Sequence, residues 1–201
     1  TYRIAHLIRK GTEPFQILSL TFTNKAAREM RERIEAVVGP EAKNVWMGTF
    51  HSIFARILRH EAETIGYPQS FTIYDSDDSK SLIKAILKEK NMDDKMYKPG
   101  MMLSRISAAK TNLVTPKDYR ANEDLLEKDR QNRRSRFHEL YSAYQDRCYK
   151  AGAMDFDDIL VNTFYLFKNH PKATYKWQHR FKYVMVDEYQ DTNHVQYMIT
   201  R

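Results

Sequence analysis

The sequence contains only one cysteine, Cys148, among its 201 residues. A single cysteine excludes an internal disulfide and is typical of a reducing compartment, so we expect a cytoplasmic protein. The sequence also has no apolar run of membrane-spanning length and no recognisable signal peptide. These absences argue against the disulfide-rich secreted class and against an integral membrane protein.

Glycine is scarce as well, and none of the six glycines is followed by lysine. The phosphate-binding loop of nucleotide hydrolases, G-x-x-x-x-G-K-[ST], is therefore missing from this sequence. We expect the chain alone to bind ATP poorly and to carry neither nucleotide nor metal. Because both ends of the sequence lie inside apolar-periodic segments, we also expect it to be a piece of a longer protein.

Positive charge exceeds negative charge, with 33 Lys and Arg residues against 26 Asp and Glu residues. The net charge of +7 and the isoelectric point near 9.3 favour a polyanionic partner such as nucleic acid. The surplus is uneven, since residues 52–180 carry +5 and residues 181–201 carry −1. A short acidic segment thus ends a basic chain.

Apolar periodicity predicts an α/β alternation at the start of the chain. Buried strands are predicted at 15–22 (FQILSLTF) and 45–50 (VWMGTF), and each is followed by an amphipathic helix. This rhythm is typical of a parallel α/β sheet. A third apolar run, at 183–186, predicts another strand that is buried on both faces.

The intervening part of the chain has a helical pattern, and from about 75 to 180 it predicts no buried strand. A block of this length is too long to be a loop. We therefore predict an all-helical inserted domain at 52–180, which interrupts an α/β domain formed by residues 1–51 and 181–201.

Two adjacent carboxylates, Asp187 and Glu188, follow the last predicted strand. Open α/β sheets bind ligands at the carboxyl ends of their strands. Asp187 would hold the magnesium ion of a nucleotide through its hydration shell, and Glu188 would orient or deprotonate an attacking water. From these residues alone, the alternative is an ordinary strand that ends in a solvated acidic turn.

The first two strands both end in a hydroxyl, an aromatic ring and a polar side chain at the start of a helix. Helix N-termini bind phosphates and aromatic rings stack on bases, which predicts contacts to single-stranded nucleic acid. The candidate contacts are Thr21, Phe22, Thr23 and Asn24 after the first strand, and Thr49, Phe50 and His51 after the second. The alternative is a plain helix cap with Phe22 in the core.

Two further charged segments have simpler interpretations. The basic run 128–136 (KDRQNRRSR) is more typical of a solvated face than of a DNA contact. Asp155, Asp157 and Asp158 resemble a metal cluster, but a helix start, with Asp155 as the cap, explains them better.

Taken in order, these segments resemble the motifs of superfamily 1 DNA helicases of the UvrD/Rep/PcrA type, and the resemblance covers the whole chain. Residues 21–27 (TFTNKAA) resemble motif Ia, and residues 48–52 (GTFHS) resemble motif Ib. Residues 187–193 (DEYQDTN) resemble motif II, the Walker B box. The three motifs in this order are a far more specific sign of the family than any one of them alone.

The resemblance implies a RecA-like domain, called 1A, that is interrupted by a helical domain, called 1B. It implies that the motif Ia and Ib residues contact single-stranded DNA, that Asp187 coordinates magnesium and that Glu188 is the catalytic base. Gln190 would couple the nucleotide state to a second motor domain. For a full-length protein, the implied activity is 3′ to 5′ translocation and unwinding, driven by ATP and Mg²⁺, on single strands and single-strand/duplex junctions in DNA repair or replication.

This sequence departs from the family pattern in lacking the phosphate loop with its strand and the second RecA-like domain. We therefore expect the isolated chain to be inactive and to expose a sheet edge that favours self-association. The alternative function is a non-catalytic, helicase-like module that binds DNA.

Overall fold

The computed structural model describes residues 1–201, which form two compact units. Unit 1 consists of Thr1–Ile65 and Asn162–Arg201, and unit 2 consists of Gly66–Val161. The helices are α1 (Tyr2–Arg9), α2 (Asn24–Val38), α3 (Phe50–Glu61), α4 (Ser76–Glu89), α5 (Pro99–Thr111), α6 (Pro116–Ala121), α7 (Glu123–Gln131), α8 (Phe137–Lys150), α9 (Phe156–Asn169), α10 (Pro171–Arg180) and α11 (His194–Thr200). The strands are β1 (Ile17–Thr21), β2 (Trp46–Thr49), β3 (Thr72–Tyr74), β4 (Ala153–Asp155) and β5 (Tyr183–Val186). None of the helices combines the length and apolar character that a bilayer crossing requires.

Unit 1 is built on a three-stranded parallel sheet in the order β2-β1-β5. The central strand β1 is buried along its whole length, including its two polar residues, Ser19 and Thr21, as is typical of a strand inside a parallel sheet. A core cluster that includes Ile4, Ile17, Ile34 and Met47 joins this sheet to α1 and α2. The predicted mixed α/β class and the parallel sheet are confirmed, and they are consistent with a RecA-like domain.

The prediction that the third strand is buried on both faces is wrong. β5 pairs only with β1 and lies at the edge of the sheet. Tyr183 and Val184 on this strand are 40% and 46% exposed. The apolar run correctly indicated a strand, but the degree of burial depends on neighbours that a short run does not specify.

Unit 2 is mostly helical, but it is not all helical. β3 and β4 pair in parallel, with Thr72 opposite Ala153 and Tyr74 opposite Asp155. All three residues of β4 are buried, whereas the apolar pattern predicts no buried strand in this region. A three-residue strand leaves almost no period-2 signal, so its pattern merges with those of the flanking helices.

The limits of the compact units differ from the predicted domain boundaries at 51/52 and 180/181. α3 and α10 both belong to unit 1, because aromatic contacts join α10 to β2 and a hydrogen bond joins it to α3. The Trp46 and Trp177 ring centroids are 5.5 Å apart, and Trp177 Nε1 donates to Glu61 at 3.0 Å. These contacts link residues far apart in sequence, so periodicity does not reveal them.

A buried lysine joins α5, β4 and α9 within unit 2. Lys110 Nζ lies 2.8 Å from Asp155 Oδ2 and 2.8 Å from Asp158 Oδ1, and all three side chains are at most 6% exposed. Burial alone would lower the pKa of Lys110, but the two carboxylates raise it above its ordinary value. The Tyr144 hydroxyl also donates to Asp155, at 2.8 Å.

The predicted cap at the start of α9 is present, as part of this network. The amide of Asp158 donates to Asp155 Oδ1 at 2.8 Å, and the amide of Asp155 donates to Asp158 Oδ2 at 3.2 Å. The spacing of the two acids therefore indicated the cap correctly. The role of Lys110 could not be predicted, since its position on α5 carries no motif.

The basic run at 128–136 is largely engaged by unit 2 itself. Arg130 Nε donates to Glu127 at 2.8 Å, and Arg134 Nε donates to the Met96 carbonyl oxygen at 3.2 Å. Arg136 pairs with Glu139, with Nη2 and Oε2 3.0 Å apart. The interpretation of this run as a structural, solvated face therefore agrees with its contacts.

The Lys110 network predicts a pH-dependent stability difference. Replacing Lys110 with Met leaves two buried carboxylates without a cation, so we expect the free energy of unfolding at pH 7 to fall by about 3–5 kcal/mol. Because protonation removes the unpaired charges, this loss should shrink as the pH falls toward about 4. Denaturant unfolding at several pH values measures it.

The matched control is Lys84→Met on α4, which removes an exposed lysine. We expect this control to unfold like the parent chain at every pH. A Lys110→Met variant as stable as the control at pH 7 would show that the ion pairs contribute nothing net.

Candidate nucleic-acid interface and acidic strand end

The carboxyl ends of the three parallel strands of unit 1 meet at one edge of the sheet. The register places Thr21 opposite Thr49, and Leu20 opposite both Gly48 and Val186. The Asp187 amide extends this pairing by donating to the Leu20 carbonyl oxygen at 2.9 Å. The three segments singled out in the sequence therefore leave the sheet side by side, and we call this end of the sheet the common edge.

The segment after β1 caps α2 and leaves polar groups exposed. Thr23 is the N-cap, and its Oγ1 accepts a hydrogen bond from the Ala26 amide at 3.1 Å. Thr23 and Asn24 are exposed, and Phe22 is half-buried. The first turn of α2 contains no acidic residue, so no carboxylate there opposes an anion at the helix N-terminus.

The segment after β2 makes a similar cap but faces inward. Thr49 Oγ1 accepts from the Ser52 amide at 3.2 Å, and the Ser52 hydroxyl donates to the Thr49 carbonyl oxygen at 3.0 Å. A Cβ atom placed on Gly48 would lie 2.6 Å from Ser52 Oγ and 3.2 Å from Ile53 Cγ1. Glycine thus permits β2 to approach α3 closely. No separate role was predicted for Gly48, although glycine within a strand often marks such an approach.

An aromatic contact joins the two segments. The Phe22 and Phe50 ring centroids are 5.4 Å apart, and Phe50 also lies 6.1 Å from Phe54. Phe50 is 1% exposed, so its ring supports that of Phe22 from below the surface. Phe22 is therefore the ring of this pair that has a face for a base.

Burial removes three of the seven predicted DNA contacts from the accessible surface. Thr21, Thr49 and Phe50 are 2%, 8% and 1% exposed. Their side chains serve β1, the cap of α3 and the ring contact, so their burial disfavours direct contact with nucleic acid, which stays a prediction. Motifs identify the segment that approaches a ligand, but they do not separate the residues that contact it from those that support them.

His51 differs from a typical phosphate-binding residue. Its ring is half-buried, and burial lowers its pKa below the ordinary value. The imidazole is therefore neutral at neutral pH, which suits it to hydrogen bonding rather than to ion pairing with a phosphate.

The two carboxylates after β5, Asp187 and Glu188, are exposed. Glu188 adopts φ 50° and ψ 47°, a left-handed conformation that is uncommon for residues other than glycine. Three other non-glycine residues have positive φ, namely Asn91, Leu113 and Arg133, and each comes shortly after a helix, where this conformation is common. Glu188 follows a strand instead, and strain of this kind concentrates at functional sites.

Gln190 and Glu188 are in direct contact, with the Gln190 amide donating to the Glu188 carboxylate. Beside Asp187 lies a cavity of about 410 Å³, whose lining includes Arg3, Ser19 and Met30. Asp187 has no further acidic or histidine partners of the number that a protein-only metal site requires. A lone carboxylate fits magnesium, which is usually bound by one or two carboxylates together with waters and substrate phosphates.

Gly48 provides a test of the close approach between β2 and α3. In Gly48→Ala the new methyl group must displace Ser52 Oγ or Ile53, so we expect a loss of about 1–3 kcal/mol in unfolding free energy. Gly100→Ala is the matched control, because a Cβ there meets nothing within 4 Å. Thermal or denaturant unfolding reports both variants, and equal stability of the two would refute the packing argument.

Comparison with known proteins agrees with the arrangement of the motifs. The family model of the UvrD/REP helicase N-terminal domain matches residues 1–201. An ATP-dependent DNA helicase PcrA of Staphylococcus aureus is 43% identical over 202 residues, and one of Staphylococcus epidermidis is 42% identical over 207 residues. Both alignments cover all of this chain, which spans 27% of the length of each relative.

Proposed function

Because the chain belongs to the UvrD/REP helicase family, we propose that it is the part of an ATP-dependent DNA helicase that brings the DNA strand and the Walker B acids to one edge of a sheet. The observation that carries this proposal is the common edge, where β1, β2 and β5 end in register. Rigid secondary structure is one element that can carry energetic coupling between two sites. A single parallel sheet supplies that element.

The DNA contacts are assigned to the accessible members of the predicted set. Phe22 stacks on a base, while Thr23, Asn24 and the free amides at the start of α2 bind the backbone. The neutral His51 adds a hydrogen bond. Thr21, Thr49 and Phe50 hold these groups in position.

The nucleotide chemistry is assigned to Asp187, Glu188 and Gln190. Asp187 holds Mg²⁺ through coordinated water, and Glu188 orients or deprotonates the water that attacks the γ-phosphate. The hydrogen bond from Gln190 fixes the Glu188 carboxylate, and it gives Gln190 a route to sense the state of that group. The full-length protein would then move 3′ to 5′ along single strands and unwind junctions in repair or replication.

The isolated chain is proposed to bind DNA without turning over ATP, since no phosphate loop occurs in its 201 residues. We expect no DNA-stimulated phosphate release from it in a malachite green assay. Turnover that is abolished by Glu188→Gln would contradict this. The alternative, a non-catalytic DNA-binding module, is distinguished by the same assay on the longer protein that contains this chain.

DNA binding by the chain depends on the exposed face of Phe22. Replacing Phe22 with Leu keeps an apolar contact with Phe50 but removes the stacking surface, so affinity for an oligo-dT strand should fall by about 1–3 kcal/mol. Fluorescence anisotropy measures this change. For the parent chain, affinity should also fall steeply as salt rises.

Tyr175→Ala is the matched control for this experiment, because Tyr175 is an aromatic residue of unit 1 that is 64% exposed and lies on α10. We expect the control to bind like the parent chain. Equal losses in Phe22→Leu and Tyr175→Ala, or binding that ignores salt, would remove Phe22 from the proposed contacts.

A further inference from the structure

A stretch of unit 1 that contains no acidic residue carries a row of exposed cations. Residues 159–186 include five Lys and Arg residues and no Asp or Glu. Three of the five, Lys172, Lys176 and Arg180, follow one another at intervals of four residues on α10, and all three are exposed. Because side chains at this spacing share one face of a helix, α10 presents a single row of positive charge.

An arginine of α3 extends this row at the C-terminal end of α10. The guanidinium carbon of Arg56 lies 3.9 Å from the Trp46 ring centroid, and that of Arg180 lies 5.0 Å from the same centroid. Arg56 is exposed as well. We call the surface formed by Lys172, Lys176, Arg180 and Arg56 the basic face.

The chain leaves most of this charge without a counterion. Lys176 Nζ pairs with Glu61 Oε1 at 2.6 Å, whereas the other three cations have no carboxylate oxygen within 4.0 Å. The basic run 128–136 differs, because its arginines pair with Glu127 and Glu139. Unit 1 also carries 16 Lys and Arg residues against 10 Asp and Glu residues, while unit 2 carries 17 against 16. The basic face is therefore the surface that an external anion can use.

The aromatic rings around the basic face are covered or already stacked. Trp46 and Trp177, which lie beneath the cations, are 6% and 5% exposed. Tyr175 on α10 is 64% exposed, but its ring stacks on that of His179 with the centroids 3.6 Å apart. Proteins that bind single strands use open rings as stacking platforms for the bases. Cations above buried rings fit a charged backbone better than unstacked bases.

The arginine end of the basic face is separated from the common edge. Trp46 is the first residue of β2, and Thr49, at the common edge, is the last. Arg56 and Arg180, which contact Trp46, therefore lie toward the opposite end of the sheet. A single strand that follows the common edge does not need these two cations.

We infer that the basic face binds the phosphate backbone of duplex DNA, in a junction whose single strand follows the common edge. This inference rests on the proposed function, which supplies the single strand. Successive cations on α10 are about 6 Å apart along the helix axis, so the three of them span about 12 Å. Each strand of a duplex carries one phosphate per about 3.4 Å of its axis, so several phosphates lie along such a row. Contacts of this kind position a duplex without reading its sequence.

A double substitution tests the basic face with two fluorescein-labelled probes, oligo-dT and a blunt-ended duplex of mixed sequence. In K172Q/R180Q two cations are lost, while Lys176 remains to pair with Glu61. We expect duplex affinity, measured by anisotropy, to fall about tenfold or more, because two phosphate contacts are removed. The slope of log affinity against log salt should also become shallower by about 2. Oligo-dT affinity should stay unchanged.

The matched control is K84Q/K88Q, which removes the same charge from two exposed lysines on α4. This control should bind the duplex like the parent chain. K172R/R180K keeps both charges of the basic face, so it should retain duplex binding. Thermal unfolding checks that each variant is folded.

Three results would overturn the inference. The first is that the parent chain does not bind the blunt-ended duplex, and the second is that K84Q/K88Q weakens duplex binding as much as K172Q/R180Q does. The third is an equal loss of oligo-dT affinity in K172Q/R180Q, which would assign the basic face to single strands. Failure of the proposed function is distinguishable, because it shows in Phe22→Leu with oligo-dT, whereas the duplex probe reports on the basic face.

Discussion

The parallel pairing of β1 with both β2 and β5 is the constraint on which the proposed function depends. Strands in parallel register end at the same edge, so the segments that follow Thr21, Thr49 and Val186 lie side by side. The proposed ligand-binding residues therefore need no direct contact with one another. The burial of β1 holds this edge in place through the core of unit 1. The acids and the proposed DNA contacts then lie in three short turns, each preceded by a strand and followed by a helix or helical turn.

Several residues that support the common edge are buried, tightly packed or held in a strained backbone conformation. Phe50 occupies the interior so that Phe22 remains at the surface, and Gly48 permits the approach of β2 to α3 that brings the Thr49 cap into position. Glu188 takes a left-handed conformation that costs an L-residue roughly 1–3 kcal/mol. In the core of unit 2, Lys110 forms ion pairs with two buried carboxylates, Asp155 and Asp158.

The sequence was sufficient to predict β1, β2 and β5, their parallel sheet, the cap at Asp155, and the motifs that indicate the family. Those features are local, since periodicity and capping chemistry act over a few residues. The exposure of β5, the short sheet of β3 and β4, and the partners of Lys110 depend on contacts between distant segments, and they were missed. Phe22 and Phe50 have similar sequence contexts, each after a threonine at the end of a strand. Contacts between distant segments bury Phe50 but leave Phe22 partly accessible.

The central claim is that single-stranded DNA follows the common edge of unit 1. Backbone amide chemical shifts of the isotope-labelled chain, recorded by NMR during titration with a short oligo-dT strand, test it most directly. The account predicts that the largest changes fall at Phe22, Thr23, Asn24 and His51, and that they saturate together. Changes confined to the basic run 128–136, with none at the common edge, would contradict it.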